Sequence, residues 1–200
     1  MTIATPMRQQ ILGVARLRFA EHGYYATSLT DIASEVGIRR PSLLHHFPSK
    51  EALYREVLVS GFADWAALVE DSVTDLLDGW PQVERVIRAA FQFFEEHPDF
   101  VRLIRHEALD GGPILSSELG GLLRPMFERA VGFLEREMDA GSLRRFDAGH
   151  LLLTGYGAAL SWFSDAPLID NLIDGDSLDP GQIATHRDQV LEIFRNALEP

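Results

Sequence analysis

Residues 27–50 read TSLTDIASEVGIRRPSLLHHFPSK. Ser28 and Asp31 have the S-x-x-D spacing that begins a helix. Gly37 can end that helix and let the chain turn sharply. Residues 40–46 then form a second short helix with a proline in its first turn, where no backbone hydrogen bond is lost. Two short helices joined by a tight turn predict a helix-turn-helix.

Apolar residues at helical spacing flank this stretch on both sides. No segment alternates polar and β-branched residues at a period of two, so no strand is predicted. The pattern predicts an all-α fold of about nine helices. Outside the helix-turn-helix we expect helices over 7–22 (ended by Gly23), 50–77, 82–96, 98–109, 117–140, 147–164 (capped by Asp147) and 180–198.

The charge of the chain is unevenly distributed. The net charge is -12, which is unusual for a protein that binds nucleic acid. Residues 1–60 hold seven Lys and Arg against five Asp and Glu (+2), whereas the other 140 residues hold eleven against 25 (-14). Such a molecule would meet a polyanion with its basic end and avoid contact elsewhere. The alternative is that the acidity of the body only aids solubility.

Composition excludes several classes of site. The absence of cysteine rules out disulfides, thiolate zinc sites and cysteine nucleophiles, and fits a reducing, cytoplasmic location. No signal peptide and no apolar run long enough for a membrane span is apparent. His97, His106 and Glu107 come closest to a metal cluster, but their spacing matches no zinc pattern. No G-x-S-x-G and no glycine-rich phosphate loop occurs, so neither a cofactor nor an enzyme is expected.

The first sixty residues resemble the tetracycline-repressor (TetR) family of bacterial transcription regulators. The matching elements are I-L-G-V-A, F-A-E-H-G-Y, T-S-L-T-D-I-A and H-H-F-P-S-K-E-A-L, which together span 11–53. The resemblance implies an all-α homodimer that represses a promoter until a small-molecule effector binds. It implies a domain over 5–65 that binds a double-stranded DNA operator, with the helix-turn-helix at about 28–47. The remaining residues, 66–200, would bind the effector and dimerise.

The chain departs from the pattern of this family at Arg39, Pro41 and Leu44, and Leu17 and Arg18 look transposed in the first helix. Arg39 stands where relatives often have a small hydroxyl residue, and Pro41 replaces a commonly small residue. Leu44 stands where many relatives have a tyrosine that touches DNA, and it could instead pack against a thymine methyl group. The departures at Arg39 and Leu44 leave an alternative open, namely a ligand-binding or protein-binding module of the same fold that no longer binds DNA.

Given the resemblance, nine residues are candidate DNA contacts. Arginine can bond the edge of a guanine or clamp a phosphate, and a hydroxyl at a helix start suits a phosphate. For Ser28 the alternative is a helix cap alone, and for His46 it is partial burial. Lys50, the only lysine, is expected to contact a phosphate. The set comprises Thr27, Ser28, Arg39, Arg40, Ser42, Leu44, His45, His46 and Lys50.

The body carries aromatic residues and methionine at helical spacing. Core packing explains most of them, but the resemblance implies that some line a cavity, and an apolar lining would suit an apolar or aromatic effector. The candidates are Trp65, Phe91, Phe94, Phe100, Met126 and Phe127.

The helix over 147–164 mixes small residues with large apolar ones. With the last helix, it is interpreted as half of a four-helix dimer interface. The alternative is that it is central to the core of the monomer. The candidate interface residues are Leu152, Gly155, Tyr156, Ala159, Leu160, Phe163, Val190 and Phe194.

Overall fold

The computed structural model describes residues 6–73, 77–110 and 120–200. These residues form ten α-helices and no strand, which confirms the all-α prediction. The helices are α1 (Met7–Ala26), α2 (Leu29–Val36), α3 (Arg40–His46), α4 (Lys50–Ser72), α5 (Gly79–Glu96), α6 (Pro98–Leu109), α7 (Gly120–Ala140), α8 (Ala148–Ser164), α9 (Ala166–Ile173) and α10 (Pro180–Leu198). None of the helices in the described ranges has the length and hydropathy needed to cross a bilayer.

The chain divides into two compact units. Unit 1 comprises residues 1–64 and 99–119, and unit 2 comprises residues 65–98 and 120–200. The chain passes from one unit to the other within α4. The boundary near residue 65, which we expect to separate the DNA-binding domain from the effector-binding and dimerisation domain, remains a prediction. Unit 1 therefore contains α6 in addition to α1, α2, α3 and the first part of α4.

The helix-turn-helix forms where the local residues predict it. Ser28 caps α2 by accepting a hydrogen bond from the backbone N–H of Asp31 at 3.1 Å. Gly37 ends the helix in the left-handed conformation with φ of 80°, which glycine adopts without steric cost. Arg39 precedes α3 in extended backbone and gives no side-chain cap. The core beneath these helices consists of Ile11, Ala15, Phe19, Ile32, Leu43 and Phe47.

The end of α1 differs from the predicted stop at Gly23. The backbone leaves the helical conformation there, with φ of 73° and ψ of 175°, but helical turns continue to Ala26. The ring of His106 on α6 lies so close that a Cβ at Gly23 would stand 3.2 Å from its Nδ1 atom. Glycine is therefore needed both for the positive φ and for the approach of α6.

Two polar contacts hold α6 within unit 1. Asp99 forms an ion pair with Arg16 on α1. The hydroxyl group of Tyr54 on α4 donates a hydrogen bond of 2.7 Å to the Glu107 carboxyl group. Tyr54 and Glu107 are both buried, so this contact is shielded from water and is lost only if α4 and α6 separate.

We expect Tyr54→Phe to lower the free energy of unfolding by about 1–3 kcal/mol at pH 7, because Glu107 loses a buried hydrogen-bond donor. Burial, followed by the bond to Glu107, raises the pKa of Tyr54 above its ordinary value. The folded pKa thus exceeds the unfolded one, and this stabilisation is complete below about pH 10 and lost above it. Urea denaturation at several pH values measures both effects.

The exposed Tyr25 provides the matched control for that experiment. Tyr25→Phe should leave stability unchanged at neutral pH. Tyr54→Phe should also show a shallower loss of stability above about pH 10. Some loss will persist, because burial raises the pKa of Tyr24 as well. Equal stability of Tyr54→Phe and the unmodified chain at pH 7 would contradict the role given to this hydrogen bond.

Unit 2 is a helical bundle in which α8 packs against α5, α7 and α10. Asp147 caps α8 by accepting a hydrogen bond of 2.8 Å from the N–H of His150, as predicted. The eight-residue α9 was not predicted; unlike α2, it has no side-chain hydrogen bond at its N-cap, Asp165. The predicted helix over 50–77 ends at Ser72, and residues 74–76 and 117–119 lie outside the described ranges.

Candidate nucleic-acid interface

The outer surface of α3 carries four of the nine candidate DNA contacts. Leu43 is buried against the rest of unit 1, and the opposite side of the helix is left to solvent. Leu44 and His46 border this surface and are half-buried, so the partial burial considered for His46 is observed. The exposed candidates are Arg39, Arg40, Ser42 and His45, and Pro41 is exposed between them.

Arg39 and Arg40 differ from the other basic residues of this region. Neither guanidinium group has a hydrogen bond or an ion pair within the described residues. The remaining Lys and Arg residues of positions 1–60 all have protein partners: Arg8 pairs with Glu56, Arg16 with Asp99, Arg18 with Glu35, Arg55 with Glu51, and Lys50 bonds a backbone carbonyl. Within residues 6–60, the positive charge that has no protein partner is thus concentrated at the start of α3.

The hydroxyl group of Thr27 has a structural role rather than the expected phosphate contact. Thr27 is buried, and its hydroxyl donates towards the carbonyl oxygen of Gly23 at 2.8 Å. A second carbonyl, that of Arg18, lies 3.1 Å away. The side chain therefore closes the end of α1. The hydroxyl of Ser28 accepts from the Asp31 backbone and also donates to its carboxylate at 2.7 Å, so it acts as a helix cap.

Lys50 bridges the start of α4 and the end of α1. Its ammonium group donates to the carbonyl oxygen of Tyr25 at 3.3 Å and lies 4.5 Å from the centre of the Tyr24 ring. Burial lowers the pKa of Lys50. The side chain is half-buried, so a phosphate could still reach the ammonium group from the solvent side. The phosphate contact expected of Lys50 therefore stays a prediction, beside a structural role that the sequence did not indicate.

The candidate pocket residues are dispersed. Phe100 belongs to unit 1, where its ring meets that of Phe62 edge-on at 5.0 Å. Met126 is half-buried and Phe127 is exposed on α7. The other three, Trp65, Phe91 and Phe94, join a continuous group of rings inside unit 2. Successive ring centres along Trp65, Phe94, Phe163, Phe91, His186 and Trp162 lie 4.0–6.0 Å apart.

None of the six candidate pocket residues lines either of two open depressions on the described part of unit 2. The larger, of about 450 Å³, is bordered by residues 78–81, Ser142 and the last two residues. The smaller, of about 180 Å³, is bordered by charged residues of α5 and α10. Within the described residues, no three His, Asp or Glu side chains are placed to hold a metal ion.

The candidate dimer residues separate into buried and accessible groups. Five are buried within the single chain and act as core residues: Ala159, Leu160, Phe163, Val190 and Phe194. Leu152 and Gly155 are half-buried, and the Phe194 ring lies beside Gly155. Tyr156 is exposed, as are Leu153 on α8 and Ile193 on α10, which sequence reasoning missed. The missed residues could have been found by choosing the apolar positions opposite the most apolar side of each helix.

Comparison with known proteins gives two family matches. Residues 11–57 match the description "Bacterial regulatory proteins, tetR family". Residues 81–193 match "Tetracyclin repressor-like, C-terminal domain". The two matches together include the helix-turn-helix and most of unit 2.

Individual relatives span most of the chain. The HTH-type transcriptional regulator RutR of Escherichia coli (strain K12) is 28% identical over 163 residues, which is 82% of this chain and 76% of RutR. The solved structure of the ketosteroid transcriptional regulator KstR2 of Mycobacterium tuberculosis is 25% identical, covers 99% of this chain and 97% of its own, and has a TM-score of 0.75. FadR from Bacillus subtilis, solved with stearoyl-CoA, shares the fold at 16% identity, 93% and 96% coverage and a TM-score of 0.74.

Proposed function

This chain belongs to the TetR family of bacterial regulatory proteins and is a transcriptional regulator, and we propose that it represses a promoter by binding a palindromic operator as a dimer. The observation that carries this proposal is the surface of α3. It presents two arginines without protein partners, a hydroxyl and an imidazole, on a helix that is anchored in unit 1 through the buried Leu43.

The charges favour this orientation on DNA. The first sixty residues carry +2 and the remainder -14, so attraction to phosphates is confined to the end of the chain that carries α3. Two copies related by a two-fold axis would place their recognition helices about one DNA turn apart, roughly 34–36 Å. The exposed apolar residues of α8 and α10 are the surface that we assign to this dimer.

We propose a small apolar or aromatic molecule as the effector. The ring group of unit 2 supplies an apolar environment. Of the proteins that share this fold, KstR2 is a ketosteroid transcriptional regulator, and FadR from Bacillus subtilis was solved in complex with stearoyl-CoA. The effector must bind the DNA-free state more tightly than the DNA-bound state, because equal affinity for both would shift nothing. The chain passes between the units within α4, at the start of α6 and at the start of α7, so these three places are the covalent routes for a response.

The test is a mobility shift on the DNA upstream of the gene, repeated at several salt concentrations. Arg40→Ala should weaken binding by about five- to 150-fold and relax the preference at one base position. Lys50→Ala should weaken binding to all sequences alike and reduce the salt slope by about one. Arg145→Ala, which removes an exposed arginine of unit 2, is the control and should bind as the unmodified chain does. Unchanged binding by both Arg40→Ala and Lys50→Ala would refute this assignment.

A further inference from the structure

The recognition surface has an unusual chemical composition. No asparagine or glutamine occurs between residues 11 and 81, so neither α2 nor α3 carries a carboxamide side chain. A carboxamide is the group that bonds adenine bidentately through N6 and N7. A side chain that only donates hydrogen bonds cannot replace it, because adenine presents both a donor and an acceptor in the major groove.

The carboxylates near this surface are also committed. A carboxylate is the usual acceptor for the N4 amino group of cytosine. Helix α3 contains no acidic residue. On α2, Asp31 bonds to Ser28 and Glu35 pairs with Arg18, so both carboxylates hold the structure of unit 1. Neither helix therefore offers an uncommitted carboxylate for cytosine, and a hydroxyl such as that of Ser42 can accept only a single hydrogen bond of this kind.

The remaining exposed side chains of α3 and its N-cap are suited to the acceptors of guanine and the methyl group of thymine. The guanidinium groups of Arg39 and Arg40 are unpaired donors that match the O6 and N7 acceptors of guanine, and the exposed imidazole of His45 can donate to the same acceptors. Pro41 and Leu44 are one turn apart on α3, and together they form an accessible apolar edge. In the major groove the apolar feature of a base is the 5-methyl group of thymine.

We infer that the operator half-site is read through guanines and thymine methyl groups, with no bidentate contact to adenine from α2 or α3. Arg39 and Arg40 read the guanines, and Leu44 reads a thymine. This inference rests on the proposed function, because it names the DNA sequence class that the same surface would select. It also gives the departures Arg39, Pro41 and Leu44 a common purpose, since all three contribute to this composition.

The experiment selects an operator from random double-stranded DNA with the full-length protein and then replaces single bases by analogues. Replacing guanine with 7-deazaguanine removes N7 and should weaken binding at least about fivefold at one or more positions per half-site. Replacing thymine with deoxyuridine removes only the methyl group and should weaken binding about fourfold at one position or more. Replacing adenine with 7-deazaadenine should change binding less than twofold at every position.

Protein variants assign each effect to a residue. Leu44→Ala should bind the thymine and deoxyuridine operators within about twofold of each other, and Arg40→Ala should lose sensitivity to 7-deazaguanine at one position. Arg145→Ala should retain both sensitivities, because it lies in unit 2. A loss of fivefold or more with 7-deazaadenine, or indifference to every 7-deazaguanine, overturns the inference while leaving the proposed function intact. Failure to select any DNA in a salt-dependent manner overturns the proposed function and the inference together.

Discussion

Gly61→Val is expected to destabilise the protein by about 3 kcal/mol, the upper end of the usual cost of overpacking a core. Gly61 lies within α4, where it is buried against the Phe100 ring on α6. A Cβ at this position would overlap Cδ2 of that ring and stand only 2.5 Å from its Cε2 atom. The ring cannot move aside freely, because it is buried and also contacts Phe62 edge-on. Valine would add two further methyl groups to the same space.

Thermal and urea denaturation measure the effect, with Gly13→Val as the matched control. Gly13 also lies within a helix, but nothing stands within 4 Å of a Cβ built there. Valine has the higher helix propensity, so Gly13→Val should be neutral or slightly stabilising.

Phe100→Ala alone should cost about 3–5 kcal/mol. Gly61→Val combined with Phe100→Ala should cost less than the sum of the two, because the valine occupies part of the vacated volume. Strict additivity would show that Gly61 and Phe100 do not interact.

That pair of residues also shows where sequence reasoning ends. The helix-turn-helix could be predicted because its signals are local: Ser28 and Asp31 are three residues apart, and Gly37 follows within one helix length. The contact between Gly61 and Phe100 joins positions 39 residues apart, and a glycine inside a helix gives no indication of what packs against it. The assignment of α6 to unit 1 depends on contacts of this long-range kind.

The candidate DNA surface was predictable to a similar extent. Exposure of Arg39, Arg40 and His45 follows from helical periodicity, because Leu43 fixes the buried side of α3. The roles of polar residues at helix ends did not follow from it. Thr27 turned its hydroxyl inward to backbone carbonyls of α1, since a buried donor must find an acceptor. Whether a given hydroxyl faces solvent or backbone depends on the tertiary structure around it.

The aromatic residues of the body were harder still to interpret. Apolar rings at helical spacing have the same pattern whether they line a cavity or fill a core. Here Phe91 and Phe94 are buried within a continuous group of rings, whereas Phe127 is exposed. The same ambiguity affected α8, where an apolar sequence suggested an interface. Ala159, Leu160 and Phe163 serve the core of unit 2, so the candidate dimer surface contracts to the residues on the exposed side of the helix.

Ile193→Arg is expected to abolish dimerisation at micromolar concentration and, with it, binding to a palindromic operator. Ile193 on α10 is 63% exposed, and Leu153 and Tyr156 on α8 are 55% and 44% exposed. In a two-fold symmetric interface each substitution occurs twice. If a charge buried at the centre of the interface costs about 2 kcal/mol per copy, the total of about 4 kcal/mol weakens the dimer roughly 1,000-fold. Sedimentation velocity measures the dimer, and a mobility shift measures operator binding.

The control for this experiment is Leu168→Arg, which introduces the same charge at a residue of α9 that is 64% exposed in the same unit. It should remain dimeric, because we place the interface on α8 and α10. Ile193→Arg should keep its helical circular dichroism, since Ile193 is not part of the monomer core. If Ile193→Arg is monomeric but still binds a half-site weakly, the dimer is lost while the DNA-binding surface of α3 is intact. If Ile193→Arg stays dimeric while Leu168→Arg dissociates, the interface lies on α9 and our placement is wrong.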